Sequence, residues 1–541
     1  MKKIFITTLL LNTSITHAQN WEWSKLIQPA DNKAYMTGMA DPAGNVYMGG
    51  FFNQSIDFGN SKTLSGNWDG CIARFDTAGL CQWAQRIYVT TQGCGCTVEG
   101  NRSSAYVAGF DSNGNVIIYG GFCGCGEFFG GSTSSVPAAG YNIFIAKYSP
   151  SGTCLWVKTK PGSWNSSTGQ TDDQIYTVTI DASDNIYIDM LSYATNTTFC
   201  GLTFAPQGEF FLKVNTNGVG IWKTQIATTT VGYTLAQLKY FNSRIYATAQ
   251  YVGTVTFGTH TLTAQGSLDV AVLKMDTAGS YLAAVDFGGS GGQTGALGLA
   301  VSNDKIVVLG QAYTNSVSIS AGTYTLNTGT GNDGTFLVTY DTTSLTPQAV
   351  RNTATDNNGS GTGLYNDNKG NLYLTATNSA TTGFGGLSNV PAGHHVIRMD
   401  NTLTNYWYMQ SVSVCVAPDT LGNIYTVDGF SGGTDVNGAL GKIHNARTTG
   451  LGGARMAQTN TMQVYPNPST GLFNLKLGTD IKHNNAKIVL YDISGRLIAD
   501  NIAYTKEDEN TLQIDLTKYV EGSYIIKAEV DNVLYSAKLE R

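Results

Sequence analysis

The stretch DPAGNVYMGGFF at residues 41–52 combines a tight turn with the start of an extended strand. Asp can cap such a turn with its side chain, Gly accepts positive φ, and the residues that follow favour a strand. Successive copies lie 52 to 70 residues apart, so we infer one structural unit repeated seven times. The other copies are DSNGNVIIYGGFC (111–123), DASDNIYIDMLSY (181–193), FNSRIYATAQYVG (241–253), VSNDKIVVLGQAY (301–313), NDNKGNLYLTATN (366–378) and PDTLGNIYTVDGF (418–430).

A second recurring element ends in a similar turn and precedes a strand that contains Trp. It reads DGCIARFDTAG at 69–79, followed by CQWAQRI at 81–87. Each unit is therefore predicted to contain four strands, a to d, with tight a–b and c–d turns at one end. The b–c and d–a connections lie at the other end and vary in length. We expect any binding surface there.

Seven four-stranded units of this size are typical of an all-β, seven-bladed β-propeller, which we predict for residues 19–447. WEWSKLI at 21–27 resembles the fourth strands but precedes the first complete unit. It is expected to complete the last blade and leave no open edge. A solenoid of the same strands is the alternative. The units resemble the seven-bladed propeller (SBBP-type) repeats of secreted and surface-layer-like bacterial proteins.

Two copies depart from the pattern, which leaves the boundaries of blades 4 and 7 open. The fourth copy has Asn242-Ser243-Arg244 in place of the Gly-Asn turn, and the last c strand, LGKIHNARTTG at 440–450, has nearly lost its motif. Bulk composition agrees with a β-rich chain, since only 13% of the 541 residues are charged and 64 are Gly. The net charge of −6 without a basic patch argues against a nucleic-acid partner.

The N-terminus has the layout of a secretory signal peptide over residues 1–18. Lys2 and Lys3 precede an apolar run, and cleavage is expected between Ala18 and Gln19. The apolar run is too short for a membrane anchor, and no other stretch is apolar enough to span a bilayer. We therefore expect a secreted chain without a transmembrane segment.

Residues 448–461 are predicted to be a linker, and residues 462–541 a small immunoglobulin-like β-sandwich. This end resembles the type A C-terminal sorting domain of the type IX secretion system of Bacteroidetes. The resemblance rests on motifs in family order, which include Tyr465, Pro466, Asn467, Pro468, Gly471, Gly495, Gly522 and Lys538. It implies the type IX machinery as a partner, export across the outer membrane, and display on the cell surface or release. The alternative, ordinary turns in a sandwich, does not explain the placement of these motifs behind a signal peptide.

Nine Cys lie between Cys71 and Cys415, and export permits disulfides. One or two disulfides are predicted between the Cys94-Gly-Cys96 and Cys123-Gly-Cys125 pairs, which are expected on the same side of blade 2. A metal site of four thiolates is the alternative, although its spacing is tighter than in usual zinc sites. Because nine is odd, at least one thiol stays free unless it pairs between chains. Cys81 and Cys154 are predicted at equivalent positions, at the start of strand d.

No catalytic constellation stands out, so we do not predict an enzyme. Gly288–Gly292 matches Gly-x-Ser-x-Gly, but a strand-like segment follows where the hydrolase motif needs a helix. His394 and His395 are adjacent in a strand and should point to opposite faces. A glycosidase pair would depend on Asp, because the repeat region has only four Glu: Glu22, Glu99, Glu127 and Glu209.

The leading functional hypothesis is therefore a non-enzymatic binding or adhesion protein, exported through its sorting domain and needing no cofactor. An extracellular enzyme acting on polysaccharide and a structural surface-layer-like component are the alternatives. Calcium in the Asp-x-x-Gly-Asn turns is a minor alternative, because the turns lack the alternating oxygen ligands of a calcium loop. Aromatic residues such as Phe51-Phe52, Phe128-Phe129 and Trp164 are candidates for stacking on sugars or for packing between blades.

Overall fold

The computed structural model describes most of the chain, and the described residues form two compact units. We call Met1–Ala446 the repeat domain and Arg447–Arg541 the C-terminal domain. The described residues form strands, turns and bends, with no helix among them, which confirms the all-β expectation. They are residues 21–29, 34–89, 103–123, 127–129, 132–134, 141–162, 173–193, 196–204, 208–226, 237–289, 292–302, 305–313, 316–319, 322–325, 334–354, 359–367, 370–384, 387–400, 402–410, 415–419, 423–427, 438–443, 460–477, 486–492, 497–530 and 533–541.

The described residues of the repeat domain form seven four-stranded antiparallel units, which we call sheets 1 to 7 in chain order, and further strand pairing joins some of them to a neighbour. Strand β1 (Trp21–Pro29) comes first. Sheet 1 comprises β2 (Ala34–Ala40), β3 (Val46–Asp57), β4 (Thr63–Phe75) and β5 (Cys81–Val89). Sheet 2 comprises β6 (Ser103–Phe110) and β7 (Val116–Cys123), a hairpin of β8 (Glu127–Phe129) and β9 (Ser132–Ser134), then β10 (Tyr141–Tyr148) and β11 (Cys154–Lys160). Sheet 3 comprises β12 (Gln174–Ile180) and β13 (Ile186–Ser192), a hairpin of β14 (Thr197–Phe199) and β15 (Leu202–Phe204), then β16 (Gly208–Val214) and β17 (Gly220–Gln225).

The same order of strands continues in the second half of the repeat domain. Sheet 4 comprises β18 (Gln237–Phe241) and β19 (Arg244–Tyr251), a hairpin of β20 (Thr254–Phe257) and β21 (His260–Thr263), then β22 (Asp269–Asp276) and β23 (Tyr281–Gly288). Sheet 5 comprises β24 (Thr294–Val301) and β25 (Lys305–Ala312), a hairpin of β26 (Ser316–Ile319) and β27 (Gly322–Thr325), then β28 (Gly334–Asp341) and β29 (Pro347–Asn352). Sheet 6 comprises β30 (Gly359–Asn366) and β31 (Asn371–Asn378), a hairpin of β32 (Thr382–Phe384) and β33 (Leu387–Val390), then β34 (Gly393–Asp400) and β35 (Asn405–Gln410).

Sheet 7 is completed by the N-terminal strand. Its own strands are β36 (Cys415–Pro418), β37 (Ile424–Val427) and β38 (Gly438–Ile443). Strand β1 pairs antiparallel with β38, with Lys25 opposite Leu440, and thus takes the place of strand d. This pairing confirms the expectation that the first strand of the chain completes the last unit.

Hydrophobic cores lie between consecutive sheets. Strand b faces both neighbours, because successive side chains point to opposite faces: in sheet 3, Ile188 packs with residues of sheet 2 and Tyr187 with residues of sheet 4. The last core of the series joins Tyr425 of sheet 7 to Val46 of sheet 1. The first strands follow the same order, since β2 contacts β6 at one side and β36 at the other. The contacts therefore return from sheet 7 to sheet 1.

In sheets 1 to 6 the b–c connections form β-hairpins, a feature that was not expected from the sequence. Alternating sequences explain them: TVTF and HTLT form β20 and β21, with Thr254 opposite Thr263. Three of the connections also pair with strand d of the preceding sheet. These pairings place Gln28 opposite Asp57, Ile87 opposite Phe129, and Phe287 opposite Ile319.

The fourth unit keeps its a–b hairpin by different turn chemistry. Asn242 and Ser243 both have positive φ, of 46° and 57°, as a two-residue type I′ hairpin turn requires. Phe241 is then paired directly with Arg244. The missing Gly-Asn therefore shortens the turn without removing the sheet.

The C-terminal domain consists of two sheets around one core. Its strands are β39 (Asn460–Thr461), β40 (Gln463–Tyr465), β41 (Leu472–Lys476), β42 (Ala486–Asp492), β43 (Leu497–Ala499), β44 (Tyr504–Lys506), β45 (Thr511–Asp515), β46 (Ser523–Val530) and β47 (Val533–Glu540). The five-stranded sheet has the order β39-β47-β46-β42-β43, and the four-stranded sheet the order β40-β41-β45-β44. Buried residues of both sheets, such as Phe473 and Ile526, share one cluster.

Candidate functional site

Five of the described a–b turns contain an Asp side chain that hydrogen-bonds within its own turn. Asp181 Oδ1 accepts hydrogen bonds from the backbone N–H groups of Ser183 (2.9 Å) and Asn185 (2.8 Å), and its Oδ2 from the Tyr187 hydroxyl (3.0 Å). Equivalent bonds to the residue four positions on occur at Asp41, Asp111, Asp367 and Asp419. These oxygens act as turn caps, as the sequence predicted.

The recurring Trp of strand d joins neighbouring sheets. In three sheets its indole N–H donates to a backbone carbonyl in the c–d turn of the next sheet. These bonds join Trp83 to Pro150 (2.9 Å), Trp156 to Thr216 (3.1 Å) and Trp222 to Thr277 (3.2 Å). We call this end of the sheets, with its a–b and c–d turns, the turn end. The recurrence of Trp in strand d therefore has a structural cause.

The opposite end carries a cluster of three aromatic rings on sheet 1, which we call the aromatic platform. Tyr35 and Phe51 are stacked, with ring centroids 6.1 Å apart and planes 22° apart. The ring of Trp68 lies 6.1 Å from Phe51 at 37°. Tyr35 is 37% exposed, and Phe51 and Trp68 are partly exposed. By contrast, Phe52 is fully buried, so only one member of the Phe51-Phe52 pair is available for stacking.

Backbone strain and a bulge shape this platform. The pairing of β3 with β4 shifts between Phe52 and Gln54, and Gln54 has a φ of 62°. On the partner strand, Trp68 has a φ of 58°, which is uncommon for a bulky residue. Bulges and residues held in such conformations are frequent at functional sites. The irregularity breaks the regular ladder at the point where Trp68 meets Phe51.

A row of tyrosines continues from the platform across sheets 2 and 3. The rings of Tyr106 and Tyr119 are 5.7 Å apart, and the Tyr119 hydroxyl lies 3.5 Å from the carbonyl oxygen of Tyr176. Burial raises the pKa of Tyr119, and Tyr106 and Tyr35 add to the effect. We call this set the aromatic strip: Trp68, Phe51, Tyr35, Tyr119, Tyr106 and Tyr176.

The strip ends at two carboxyl groups in sheet 3. Asp189 lies opposite Phe211, and Glu209 lies opposite Leu191, so the two acids are diagonal neighbours on the same face. Asp189 is 0% exposed, whereas Glu209 is partly exposed. Both oxygens of Asp189 and Oε1 of Glu209 are buried. The two carboxyl groups interact with each other by a hydrogen bond, and the described residues offer these three oxygens no other hydrogen-bond partner.

Burial controls the protonation of this pair. It raises the pKa of Asp189 to about 8, because a charged carboxylate is costly away from water. Burial also raises the pKa of Glu209 well above its usual range, and the negative charge of Asp189 adds to that effect. A carboxyl group that keeps its proton near neutral pH is the property that a general acid needs.

Tyrosines and one ion pair surround the carboxyl pair. Burial raises the pKa of Tyr176 and of Tyr281, with further contributions from both acids. Lys160 and Asp173 form a fully buried ion pair, and Asp173 Oδ1 accepts the backbone N–H of Tyr193 (2.6 Å). Burial lowers the pKa of Lys160 in spite of its partner. This ion pair positions the end of strand b next to Tyr176.

Sequence reasoning named Glu209 only as one of four scarce glutamates and missed Asp189. A signal was present in the repeat itself. The position of Asp189 in strand b is held by Gly49, Tyr119, Thr248, Leu309, Thr375 and Val427 in the other sheets, and none of these is acidic. An acid at a mostly uncharged, buried position of a repeat indicates a specific role.

Some of the other residues that the sequence analysis singled out lie within the described part of the chain, and others lie outside it. His395 is buried and His394 is exposed, which confirms their opposite orientations. Strand β24 follows the Gly288–Gly292 segment, so the helix of a hydrolase motif is not there; Ser290 lies outside the described residues. Residues 1–18 with Ala18 and Gln19, most of the linker, Glu99 and Trp164 also lie outside them. For Glu22, Glu127, Phe128 and Phe129 only the backbone is described.

The predicted disulfides stay a prediction. Cys94, Cys96 and Cys125 lie outside the described residues, and of Cys123 only the backbone is described, at the end of β7. Cys81 and Cys154 begin β5 and β11, which confirms their equivalence, and both are buried with their thiols reduced. Within the described part of the chain, no three His, Cys, Asp or Glu residues are grouped as a metal site.

The sorting motifs meet on the last strand of the C-terminal domain. Asn467 Nδ2 donates to the Lys538 carbonyl (3.0 Å), and the Glu540 N–H donates to Asn467 Oδ1 (2.8 Å). Gly522 and Arg541 exchange two backbone hydrogen bonds, of 2.8 and 3.0 Å. The motif Tyr465–Pro468 contains two cis X-Pro bonds. Hydrogen bonds therefore hold this motif against the C-terminal residues.

Gly471 is required by a close approach in the same motif. Its φ is 139°, and a Cβ there would lie 2.5 Å from Thr517 Cγ2. Gly495 lies outside the described residues. No helix among the described residues is long and apolar enough to cross a membrane.

Comparison with known families identifies the C-terminal domain. Residues 463–539 match the family model of the secretion system C-terminal sorting domain, which confirms the expected type IX sorting domain. The protein is therefore exported by the type IX machinery to the cell surface or the extracellular space. A search of curated protein sequences gave no match.

Solved structures that resemble the chain are distant. The polysaccharide lyase Uly1 has 9% sequence identity and a TM-score of 0.43, with coverage of 77% of this chain and 98% of the lyase. A luciferin-regenerating enzyme has 9% identity and a TM-score of 0.30, covering 78% and 95%. A puromycin-hydrolysing peptidase of Mycobacterium tuberculosis has 7% identity and a TM-score of 0.38, covering 83% and 58%. Likenesses at this level carry no conclusion about function.

Proposed function

We propose that the protein is a cell-surface or released binding protein, with a seven-bladed β-propeller of the SBBP type as its binding domain. The return of contacts from sheet 7 to sheet 1 supports a propeller over a solenoid, whose two ends do not meet. The two sheets around one core support an immunoglobulin-like sandwich for the C-terminal domain.

The aromatic strip is the observation that carries the binding proposal. Partly exposed aromatic rings that extend over three sheets are unlike the fully buried rings between sheets, such as Tyr148 and Tyr340. Aromatic side chains with one polar end are favoured where a protein meets a partner. Adhesion would follow if the partner is a surface polymer of a neighbouring cell or of the surroundings.

A screen of the mature full-length chain tests this function. The purified protein is presented to arrays of glycans and surface proteins, and each bound ligand is then analysed for chemical change. Saturable binding of an unaltered ligand is the expected result. Failure to retain any ligand class would contradict the binding function and favour the structural, surface-layer-like alternative.

An enzyme acting on polysaccharide is the second candidate, and the carboxyl pair favours it. Glu209 is partly exposed, stands at the end of the strip, and has a raised pKa, as a general acid requires. Asp189, however, is fully buried and would act on a substrate only through Glu209. A shortened glycan in the screen, abolished by Glu209→Gln but retained by Asp57→Asn at an exposed turn, would establish the enzyme.

The sorting geometry has its own test in the native host. Asn467→Ala removes both bonds to the last strand, so we expect less protein at the surface and more in the periplasm. Asn474→Ala, which removes only a bond to Gln513 within the same domain, is the matched control. Deletion of residues 462–541 should retain the protein in the periplasm completely; continued surface display would refute the assigned role.

A further inference from the structure

The aromatic platform is specific to sheet 1 and is not part of the repeated packing. At the position of Phe51, the sequences of the other units have Gly121, Leu191, Gln250, Gln311, Thr377 and Gly429. Tyr35 and Phe51 are cross-strand partners, and Trp68 extends the same row of rings. Packing between sheets recurs in each unit, so a feature found once needs another cause.

The backbone around the platform is adapted to keep the rings accessible. Gly49 lies on the same face as Phe51, and a Cβ at Gly49 would be 2.8 Å from the Ala105 carbonyl oxygen. Strand β6 therefore lies directly on this face at Gly49, while Phe51, two residues further along, stays partly exposed. The rings stand at the edge of the interface between sheets 1 and 2.

The strain at Trp68 points to a use for this ring. Glycine would adopt a φ of 58° without cost, whereas Trp holds it only at an expense of the order of 1 kcal/mol or more. Trp is also the largest apolar side chain, and here it is partly exposed rather than buried for stability. Neither conformational preference nor core packing explains a Trp at position 68.

The chemistry of the platform fits the face of a sugar ring. The three neighbouring rings, with planes at 22° and 37° to one another, form an apolar surface without a charge of its own. The axial C–H groups of a pyranose form a flat face of similar size, which stacks on aromatic rings. Exposed amide residues flank the platform at the bulge, Gln54 and Asn67, and amides suit the hydroxyl rim of a sugar.

We propose that Tyr35, Phe51 and Trp68 bind the pyranose rings of an extracellular polysaccharide, with Tyr119, Tyr106 and Tyr176 extending the contact along the chain of sugars. This inference rests on the proposed binding function and names its ligand class. The strip crosses three sheets, so it accommodates several sugar units of a polymer. A single sugar would contact only the platform.

Affinity electrophoresis of the mature full-length chain tests the site. The probes are soluble β-glucan, xylan, mannan, alginate and chondroitin sulfate, each cast into a gel in which binding retards the protein. The variants are Phe51→Ala and Trp68→Gly, and Tyr313→Ala is the control, because Tyr313 is 49% exposed and lies outside the strip. Trp68→Gly keeps the required backbone conformation, so its loss of binding cannot be ascribed to misfolding.

The proposal predicts that at least one polysaccharide retards the wild type, and that each platform variant weakens binding about tenfold or more. Tyr313→Ala should bind within about twofold of the wild type. Equal retardation of wild type and both platform variants would overturn the site while leaving a glycan-binding function in place. Retardation by none of the five polymers would overturn the ligand class, and the array screen then decides separately whether the protein binds a partner of another kind.

Discussion

The two ends of the seven sheets differ in the hydrogen-bond partners of their polar groups and in their backbone strain. At the turn end, Asp181 and its equivalents cap their turns, and Trp83, Trp156 and Trp222 fasten one sheet to the next. In the other half of sheets 1 to 3, the buried Asp189 has only the Glu209 carboxyl group as a partner among the described residues, and Trp68 is strained and partly exposed. Polar groups that recur from unit to unit with hydrogen-bond partners stabilise the fold. Buried carboxyl groups and strained residues that occur once indicate function.

The contrast between the two ends predicts the largest change in stability for the carboxyl pair, Asp189 and Glu209. The pKa of Asp189 is raised from 3.8 to about 8, so between these values the folded chain keeps a proton that the unfolded chain releases. The free energy of unfolding contributed by this group is therefore complete below about pH 4 and is lost as the pH rises towards 8. Relative to the double variant Asp189→Asn/Glu209→Gln, the wild type should lose about 1.4 kcal/mol per pH unit in this window for each of the two carboxyl groups that keeps its proton in the folded state.

Urea denaturation at several pH values measures this difference. Asp57→Asn, at an exposed turn, is the control and should track the wild type. If the free energy of unfolding depended on pH in the same way for the wild type and the double variant, the pair would be ionised or solvated in the folded chain. The carboxyl pair would then no longer support the contrast between the two ends.

The second effect concerns the indole bonds of the turn end. Trp222→Ala removes the bond to Thr277 and the ring packed beside Tyr187, so the free energy of unfolding should fall by about 3 kcal/mol. Trp222→Phe keeps most of the packing and loses only the N–H donor, with an expected cost of about 1 kcal/mol. Urea denaturation followed by tryptophan fluorescence separates the two variants. Equal stability of wild type and Trp222→Ala would contradict a fastening role.

The turn caps should have a smaller effect that depends on burial. Asp181→Ala removes bonds to Ser183, Asn185 and Tyr187 at a buried turn, and we expect a loss of about 2 kcal/mol. Asp276→Ala removes two backbone bonds at a more exposed c–d turn and should cost about 1 kcal/mol. Thermal unfolding midpoints compare the two. The reverse order would show that burial does not set the strength of these caps.

The smallest effect is expected to have the opposite sign. Trp68→Gly relieves the positive φ and should leave the stability unchanged or raise it by up to about 1 kcal/mol. The same change in a ring that belongs to the core would be strongly destabilising. Differential scanning calorimetry distinguishes the two cases, and a lowered midpoint would assign Trp68 to packing instead of binding.

The repeated features could be predicted from the sequence, because similar residues return at the same positions of successive units. The Asp-x-x-Gly-Asn turns located the strands, WEWSKLI at 21–27 was correctly assigned to the last sheet, and the C-terminal motifs indicated export. The b–c hairpins were not predicted, since their short alternating strands differ in sequence from unit to unit. Alternation in TVTFGTHTLT was the available signal.

The candidate site was less accessible to sequence reasoning, because it depends on pairing across strands. Asp189 and Glu209 are separated in sequence, and only the register of β13 with β16 makes them neighbours. The platform likewise depends on a bulge that aligns Trp68 with Phe51. Repetition helped to find the scaffold and concealed the site, since the site consists of residues that depart from the repeat.

One measurement tests the contrast between the two ends most directly. Affinity for the best ligand of the array screen and the midpoint of thermal unfolding are determined together for Phe51→Ala and Trp222→Phe in the mature full-length chain. We predict that Phe51→Ala loses most of its affinity at nearly unchanged stability, whereas Trp222→Phe loses stability and keeps its affinity. Loss of affinity in Trp222→Phe with full binding in Phe51→Ala would contradict the assignment of binding to the aromatic strip.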